Sequence, residues 1–239
     1  MIKLIGTSRR RADFSMEEFF RYWREVHAPI SARPPGLQGY VVSEVVSQLA
    51  GDVEVDAFIE QWWDDVDAYK AAAASDEGAA AWDDVANYAR TDGNFWLARE
   101  HVLRERRYDD PGLLRGGTGS EPGRVKMIGA AKRRDDFTVD AFFDYWRNVH
   151  APLGGAAPGM QGYVIAQLDE AVAGDWDTDA FIELWWPSRE SFDAAGASPE
   201  MATAWEDVGN YARTDQPFWL CTEHIFIAPP ATGPGLLGV

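Results

Sequence analysis

The sequence has little cysteine, since Cys221 is the single one among 239 residues. One cysteine excludes an internal disulfide and leaves no cysteine pattern for a metal site. The chain also lacks an apolar run long enough to cross a bilayer, and its first residues lack the apolar segment of a secretory signal. These absences predict a cytoplasmic protein without a membrane partner.

Basic residues are also few. The chain has 22 lysines and arginines against 39 aspartates and glutamates, which gives a formal net charge of −17. A surface of this sign repels nucleic-acid phosphates and anionic lipids, so we expect neither as a partner. The sequence shows no glycine-rich phosphate loop, no serine–histidine–aspartate motif and no cysteine nucleophile. Nucleotide-dependent and covalent mechanisms are therefore not expected, and no cofactor is predicted.

Aromatic residues, in contrast, are plentiful, and many recur at a fixed interval. The segment FFRYWREVHAP at residues 19–29 returns as FFDYWRNVHAP at residues 142–152, which is 123 residues later. The block NYARTD at residues 87–92 returns unchanged at residues 210–215. No gap is needed to align the two halves. The chain is therefore one module written twice.

The repeat divides the chain into two domains with tails. We predict a first domain over residues 1–116, a linker over residues 117–124 and a second domain over residues 125–239. The segment PGLL at residues 111–114 recurs at residues 234–237, so each domain includes a tail after its last strand. Because these leucines stand in glycine-rich surroundings, we expect each tail to dock on the opposite domain.

Local patterns predict the elements of each copy. Ser15 and Glu18 form a capping box at the start of the first helix, and Thr138 is the equivalent cap in the second copy. Pro29 is expected to end the first helix, because the residue before a proline avoids the helical region. In the first copy the predicted strands are residues 2–9, 36–49, 55–63 and 94–104. The predicted helical regions are residues 15–29 and 65–89, and the second is interrupted near residues 75–78.

This order of elements predicts an α+β module of the split β-α-β type, with a four-stranded antiparallel sheet and both helices on one face. The other face of the sheet would remain uncovered in a single module. Since an apolar sheet face must be covered, we expect the second copy to cover the first. The chain should then be a monomer with an internal pseudo-dimer, and further homodimer formation is left open.

Four segments carry a resemblance to a known family. They are YWREVHAP on the first helix, PGLQGYV after it, FIEQWW in the third strand and REHVL in the last. In this order they resemble the EthD family of dimeric α/β-barrel proteins, over essentially the whole of both copies. The resemblance implies two ferredoxin-like β-α-β-β-α-β modules packed sheet to sheet within one chain. It also implies a hydrophobic small-molecule substrate, because related proteins act as cyclases, dehydratases, isomerases or cofactor-independent monooxygenases on aromatic and polyketide compounds.

His27 and His150 are the strongest candidates for acid–base catalysis, because only histidine titrates near neutrality without special tuning. Both stand at a predicted helix end, where the helix dipole favours the protonated form. Trp23 and Trp146 lie one turn earlier on the same face and are predicted to bind a planar substrate. The alternative is that each histidine only caps its helix.

Tyr40 and Tyr163 each follow a glycine at the start of a strand. We predict that their hydroxyls stabilise an enolate or phenolate oxygen of the substrate, which makes them catalytic candidates. The alternative is ordinary core packing, in which the hydroxyl is satisfied by a neighbouring group.

Glu60 and Glu183 stand among aromatic residues on one face of a predicted strand. A carboxylate in such surroundings must be paired or have a raised pKa, and either state can serve catalysis. The alternative is an ion pair with an arginine such as Arg24 or Arg90. The flanking aromatic residues are predicted to bind the substrate, and they are Phe58, Trp62, Phe181 and Trp185.

Two further pairs of polar residues belong to the repeat or stand close together in it. His101 and His224 recur in the last strand of each copy, but no further ligand residues cluster with them in the sequence, so no metal is predicted. Arg90 and Asp92 are expected to pair locally and to fix the turn before that strand.

Together these residues predict a cofactor-independent enzyme that acts by proton transfer on a hydrophobic, aromatic or polyketide-like small molecule. A non-catalytic small-molecule binding or carrier protein is the alternative, and a structural partner protein is a third. Retention of histidine, tyrosine and glutamate in both copies favours the enzyme, because a binding protein needs only the aromatic residues.

Overall fold

The computed structural model describes residues 1–106, 123–231 and 235–237, and no helix in these ranges is long and apolar enough to cross a bilayer. Both halves contain the same elements. The first half contains β1 (Ile2–Ser8), α1 (Met16–Tyr22), a π-helical turn (Trp23–His27), α2 (Ala28–Ser31), β2 (Gly39–Ala50), β3 (Ala57–Trp63), α3 (Val66–Ala73), α4 (Asp76–Val85) and β4 (Phe95–Arg104). The second half contains β5 (Val125–Ala131), α5 (Val139–Tyr145), a π-helical turn (Trp146–His150), α6 (Ala151–Gly154), β6 (Gly162–Ala173), β7 (Ala180–Trp186), α7 (Arg189–Gly196), α8 (Pro199–Val208) and β8 (Phe218–Ile227).

The first helix of each half begins where the sequence predicts. The Glu18 amide donates to the Ser15 hydroxyl at 3.2 Å, and the Ser15 amide donates to the Glu18 carboxylate at 2.9 Å. This reciprocal pair confirms the predicted capping box. Thr138 caps α5 with its hydroxyl, which accepts from the Ala141 amide at 3.2 Å, but an alanine at this position cannot return the second hydrogen bond of a capping box.

Pro29 does not end the helical run, in contrast to the prediction. The backbone first widens into a π-helical turn, in which the Ala28 amide donates to the Trp23 carbonyl. The run then continues as α2 with Pro29 in its first turn, where a missing amide hydrogen is tolerated. Because a proline ring crowds the carbonyl four residues before it, a wider turn at this point accommodates the ring. His27 therefore lies inside the helical run, one turn before its end.

The two sheets join edge to edge as well as facing each other. Within the first half the strand order is β4-β1-β3-β2, the order of a ferredoxin-like module. β2 then pairs with β8 of the second half, and β4 pairs with β6, so eight antiparallel strands close into one barrel. Register shifts at both junctions, such as the one between Val45 and Ser47, are typical of bulges that bend long strands around a barrel.

Strand alternation gives each sheet an outer face under the helices and an inner face toward the barrel axis. On β3, Ile59 and Trp63 pack with residues of the helical layer. Phe58, Glu60 and Trp62 point into the barrel, where Phe58 packs against residues of the second half. This strand therefore has two different faces, one toward the helices and one toward the barrel axis.

The tail of the second half docks differently from the prediction. Leu236 is 69% exposed, and Leu237 is half-buried against a core cluster formed mainly by its own half. The tail reaches the first half through its backbone, because the amides of Leu236 and Leu237 donate to the carbonyls of Val102 and Leu103 at 3.1 and 2.7 Å. The first tail and most of the predicted linker lie outside the described residues, so the domain boundaries remain predictions.

Candidate active site

Each half contains a cavity between its helices and the outer face of its sheet. The first cavity measures about 170 Å³ and the second about 120 Å³. Their walls are mainly aromatic and aliphatic. Trp82 lines the first cavity and Trp205 the second, and these side chains are 38% and 45% exposed, so they mark the solvent side of each cavity.

A histidine–aspartate pair stands at the wall of each cavity. His27 Nδ1 lies 2.9 Å from Asp84 Oδ2, and His150 Nδ1 lies 3.0 Å from Asp207 Oδ2. An ionised aspartate in this position requires the proton on Nδ1, which leaves Nε2 of a neutral imidazole as a proton acceptor. The π-helical turn and the end of α4 or α8 bring the two side chains together across 57 residues of sequence.

The aspartate of each pair is itself held in place. The Tyr22 hydroxyl and the Asn87 side-chain amide both donate to Asp84 Oδ1 at 2.9 Å. Burial alone would raise the pKa of Asp84, but the hydrogen bonds from Asn87, His27 and Tyr22 outweigh it and lower the pKa below its usual value. The same contacts recur around Asp207. Each aspartate is therefore a fixed carboxylate that orients its histidine.

Burial changes the protonation of both histidines from the sequence-based expectation. The helix dipole was expected to favour the charged form, but each histidine is 6% exposed, and burial lowers the pKa of His27 and of His150 below the ordinary value. The carboxylates of Asp84 and Asp207 offset only part of this effect. Both imidazoles are therefore neutral bases at neutral pH.

A tyrosine also lines each cavity together with the histidine, Tyr40 in the first and Tyr163 in the second. The Trp23 indole donates to the Tyr40 hydroxyl at 2.7 Å, and the Trp146 indole donates to the Tyr163 hydroxyl at 2.9 Å. Burial raises the pKa of both tyrosines, so both stay protonated. Because each oxygen already accepts a hydrogen bond from an indole, its own hydrogen is directed to a different acceptor. The structure thus brings His27, Tyr40 and Trp23 to the first cavity and their equivalents to the second.

The first cavity contains a serine that sequence reasoning missed. Ser31 Oγ lies 2.8 Å from His27 Nε2, so serine, histidine and aspartate form a continuous hydrogen-bonded row. Ser31 stands at the C-terminal end of the helical run, where the helix dipole disfavours a negative alkoxide. It is therefore poorly placed to act as a nucleophile. The equivalent residue in the second half is Gly154.

The other predicted site residues lie on the opposite side of the sheet. Glu60 and Glu183 point into the barrel and do not line either cavity. Because a β-sheet separates them from His27 and His150, they cannot share a site with these histidines. The aromatic residues that were grouped with them are inside the barrel as well, and they are Phe58, Phe181, Trp62 and Trp185.

Glu60 and Glu183 instead take part in a buried charge cluster with two lysines. Lys3 Nζ lies 2.7 Å from Glu60 Oε2 and also contacts Glu183. Lys126 Nζ lies 2.8 Å from Glu183 Oε2 and also contacts Glu60. Each lysine thus pairs with a glutamate of its own half and with one of the other half. The sequence suggested Arg24 or Arg90 as the ion-pair partner of these glutamates, but the partners are Lys3 and Lys126.

The pKa values of this cluster follow from burial and close charges. Burial would raise the pKa of Glu60, but Lys126 and Lys3 bring it well below its usual range. Burial and repulsion from Glu60 raise the pKa of Glu183. Burial would lower the pKa of Lys126, yet the glutamates hold it well above its usual value. The cluster joins the two halves inside the barrel.

The remaining repeated polar residues are structural. His224 Nε2 lies 2.7 Å from Glu44 Oε2, and His101 Nε2 lies 2.8 Å from Gln167 Oε1, so each histidine connects the halves at a strand junction. Among the described residues, no group of three or more histidine, cysteine or acidic side chains is arranged to hold a metal. Arg90 pairs with Asp92 at 2.6 Å, as its sequence spacing predicts.

Comparison with known proteins connects this arrangement to a family. The family profile described as "EthD domain" matches the chain twice, over residues 11–92 and 134–215. Each match contains the histidine, the tyrosine and the aspartate of one cavity. A search of curated proteins found no match.

Solved structures resemble the chain over both halves at low sequence identity. A "putative monooxygenase" from Fusobacterium nucleatum is 7% identical with a TM-score of 0.64, and the alignment covers 98% of this chain and 95% of that chain. An anthrone oxidase-like protein is 12% identical with a TM-score of 0.63, over 97% and 96%. A "putative monooxygenase" from Lactobacillus acidophilus is 11% identical with a TM-score of 0.58, over 97% and 98%. At these identities the comparison shows a shared fold.

Proposed function

Because the chain belongs to the EthD family, with one EthD domain in each half, we propose that it is a cofactor-independent enzyme acting by proton transfer on a hydrophobic, aromatic or polyketide-like small molecule. The observation that carries the proposal is the neutral histidine, oriented by an aspartate and accompanied by a tyrosine hydroxyl, at the wall of an aromatic cavity. This set of groups can accept a proton and stabilise the oxygen anion that results.

In the proposed reaction His150 Nε2 accepts a proton from the carbon beside a substrate carbonyl, or from the corresponding enol or phenol hydroxyl. Asp207 stabilises the imidazolium, since its carboxylate lies 3.0 Å from Nδ1. The Tyr163 hydroxyl donates a hydrogen bond to the substrate oxygen as negative charge develops on it. The apolar walls exclude water and strengthen both interactions.

Oxygenation is the reaction type that we favour for the resulting anion. An electron-rich enolate or phenolate can reduce dioxygen without a cofactor, and a CH₂ group is then converted to a carbonyl with dioxygen consumed and one water released. Two structural neighbours carry the name "putative monooxygenase" and a third is an anthrone oxidase-like protein, and these names support this choice. Glu60 and Glu183 have no part in the proposed reaction.

Exchange of carbon-bound hydrogen tests the proton transfer separately from any oxidation. The probe is 1-tetralone, a bicyclic aromatic ketone, in deuterated buffer without oxygen, and proton NMR follows the loss of its α-CH₂ signal. We expect the protein to accelerate this exchange. The double variant His27→Gln/His150→Gln should lose about 10²–10⁴-fold of the acceleration, the range for one general base.

His101→Gln is the matched control, because it replaces a half-buried histidine outside both cavities. It should exchange the ketone at the rate of the unaltered protein, and melting curves should show that every variant is folded. Full exchange by the double variant would show that the histidines are not the base. Binding of the ketone without exchange would support the alternative of a carrier protein.

A further inference from the structure

The two cavities differ at the point where a substrate oxygen would sit. In the first half the Ser31 hydroxyl lies 2.8 Å from His27 Nε2, and the Tyr40 hydroxyl lines the same cavity. With Asp84 ionised and its histidine protonated on Nδ1, the serine hydrogen points to Nε2. A protein hydroxyl thus occupies the hydrogen-bonding position beside the base that a substrate oxygen would take.

In the second half this position has no side chain, because residue 154 is glycine. Of the two ring nitrogens of His150, only Nδ1 hydrogen-bonds within the described part of the chain. The Tyr163 hydroxyl accepts from Trp146, and the described residues provide no acceptor for its hydrogen. Both groups line the second cavity together with Gly154.

The glycine is not required by the backbone or by its neighbours. A Cβ atom at Gly154 would lie 3.6 Å from Tyr163 Cε1, 3.9 Å from its hydroxyl oxygen and 4.0 Å from Ala204 Cβ, all ordinary contact distances. Serine also fits a helix better than glycine does. The missing side chain therefore leaves space in the cavity, and neither the backbone nor the neighbouring atoms require a glycine at this position.

Other residues in the walls also differ between the two cavities, with polar side chains in the first and apolar ones in the second. Gln61 lines the first cavity and donates to the Ser31 carbonyl at 3.3 Å, whereas Leu184 is its equivalent in the second cavity. Ser8 of the first cavity corresponds to Ala131 of the second. The second wall is thus more apolar at these positions. Besides the histidine–tyrosine pair, the polar residues that line it are Tyr211, Arg213, Thr214 and Gln216.

We propose that the second cavity is the one that receives a hydroxylated aromatic ligand, a phenol or an enol. Its oxygen lies between His150 Nε2 and the Tyr163 hydroxyl, in the place that Ser31 Oγ takes in the first half. The first cavity is closed to such an oxygen by its own serine. This inference rests on the proposed function for the role of the histidine–tyrosine pair and assigns that role to one half.

Calorimetric titration with 4-fluorophenol tests the assignment, and 4-fluoroanisole is the matched ligand that lacks the hydroxyl hydrogen. We expect the unaltered protein to bind one equivalent of the phenol. The anisole should bind about tenfold more weakly, the effect expected for the loss of one good hydrogen bond.

Placing glycine at position 31 and serine at position 154 should transfer the phenol site from the second cavity to the first. Ser31→Gly should add a second equivalent of bound phenol, Gly154→Ser should weaken the existing site about tenfold, and the double exchange should restore one equivalent. Gly154→Ala is the control for bulk alone and should keep most of the affinity. Ser31→Ala provides a second test of the first half if the glycine variant is unstable, and it should also strengthen phenol binding there.

The inference would be overturned if the unaltered protein has two equal phenol sites. It would also be overturned if neither Ser31→Gly nor Gly154→Ser changes the binding of phenol. Its failure is distinguishable from failure of the proposed function, because binding is measured without turnover. Loss of ketone exchange in the histidine variants, together with two equal phenol sites, would retain the function and reject the assignment. If phenol binding follows the substitutions at positions 31 and 154 but the protein does not accelerate hydrogen exchange of the ketone, the assignment is retained and the proposed function is rejected.

Discussion

At the scale of single residues, burial determines how pH acts on His150. Burial lowers the pKa of this histidine in the folded protein, whereas in the unfolded chain it titrates near its ordinary value of about 6.5. The unfolded chain therefore binds the proton first as pH falls. The stability that the neutral imidazole contributes is fully present above the unfolded pKa and is lost as pH falls from there toward the folded pKa.

Asp207→Asn should lower the rate of ketone exchange and extend the active pH range to lower pH. The carboxylate raises the pKa of His150 through its hydrogen bond and its charge, so its removal should move the acid limb of the pH–rate profile to lower pH. The rate at the plateau should fall about a hundredfold, because the tautomer of the base is no longer fixed. Ketone exchange measured across pH checks both effects. A slower plateau with an acid limb moved upward would contradict this account.

The two buried lysines inside the barrel matter for stability, because removing either one leaves two buried carboxylates to share a single lysine. Lys126 is fully buried and contacts Glu60 and Glu183. Breaking a buried ion pair on one side costs far more than the intact pair contributes.

We expect Lys126→Met to destabilise the protein by about 3–5 kcal/mol. For a chain of this size that corresponds to a melting temperature lower by roughly 10 °C. Lys70→Met is the control, because Lys70 is exposed and lies 3.7 Å from Glu170, and such pairs contribute about 1 kcal/mol or less. Equal melting temperatures for the two variants would show that the cluster does not stabilise the barrel.

The sequence located some of these residues and missed others for identifiable reasons. Helical spacing placed Trp23 and His27 on one face, and both line the first cavity. Asp84 was missed, although it recurs as Asp207 at the repeat interval, because a sequence alone does not show which residue a distant histidine faces. The repeat draws attention to residues that both copies share. Ser31 was therefore missed, because the equivalent residue in the second copy is Gly154.

At the scale of elements, an aromatic ring from the last strand of each half covers a glycine in the first strand of that half. The Phe95 ring covers Gly6, where an added Cβ atom would lie 2.1 Å from the ring. Phe218 covers Gly129 in the same way, at 2.2 Å. Trp82 contacts the Phe95 ring edge to face at 5.0 Å, so this packing also forms part of the cavity wall.

Gly6→Ala should therefore destabilise the protein by about 1–3 kcal/mol, the usual cost of overpacking. Gly196→Ala is the control, because no atom lies within 4 Å of the added Cβ and alanine favours a helix. Chemical denaturation should show a lower midpoint for the first variant and an equal or higher midpoint for the second. Equal midpoints would mean that the ring moves aside freely.

The elements themselves were largely predictable, because the alternating and helical patterns are strong and each occurs twice. The capping box and the interruption between α3 and α4 both appear where the sequence indicates. The π-helical turn was not predictable from the rule that a proline ends a helix. The rule describes an undistorted helix, and here the backbone before Pro29 adopts a wider turn.

At the scale of the whole molecule, the resemblance to the family correctly implied two ferredoxin-like modules in one chain. The closure of their edges could not be read from either module, because pairing of β2 with β8 and of β4 with β6 depends on the two halves together. Each of these four strands therefore has a hydrogen-bonded neighbour on both sides.

We expect the protein to be a monomer of 26.6 kDa in solution. The sheet face and the strand edges that another protomer would cover are already covered within the chain. Light scattering over a range of dilutions measures this mass directly. A dimer that separates only on unfolding would indicate that the halves pair between chains.

The covalent joining of the two halves also has a genetic consequence. In a homodimer one codon determines the residue at both equivalent positions, so any substitution changes both sites at once. In this chain the positions of Ser31 and Gly154 are encoded separately, and each can mutate without the other. A single gene can therefore maintain two unlike sites on one symmetric scaffold, and one half can change its ligand while the other keeps the ancestral one.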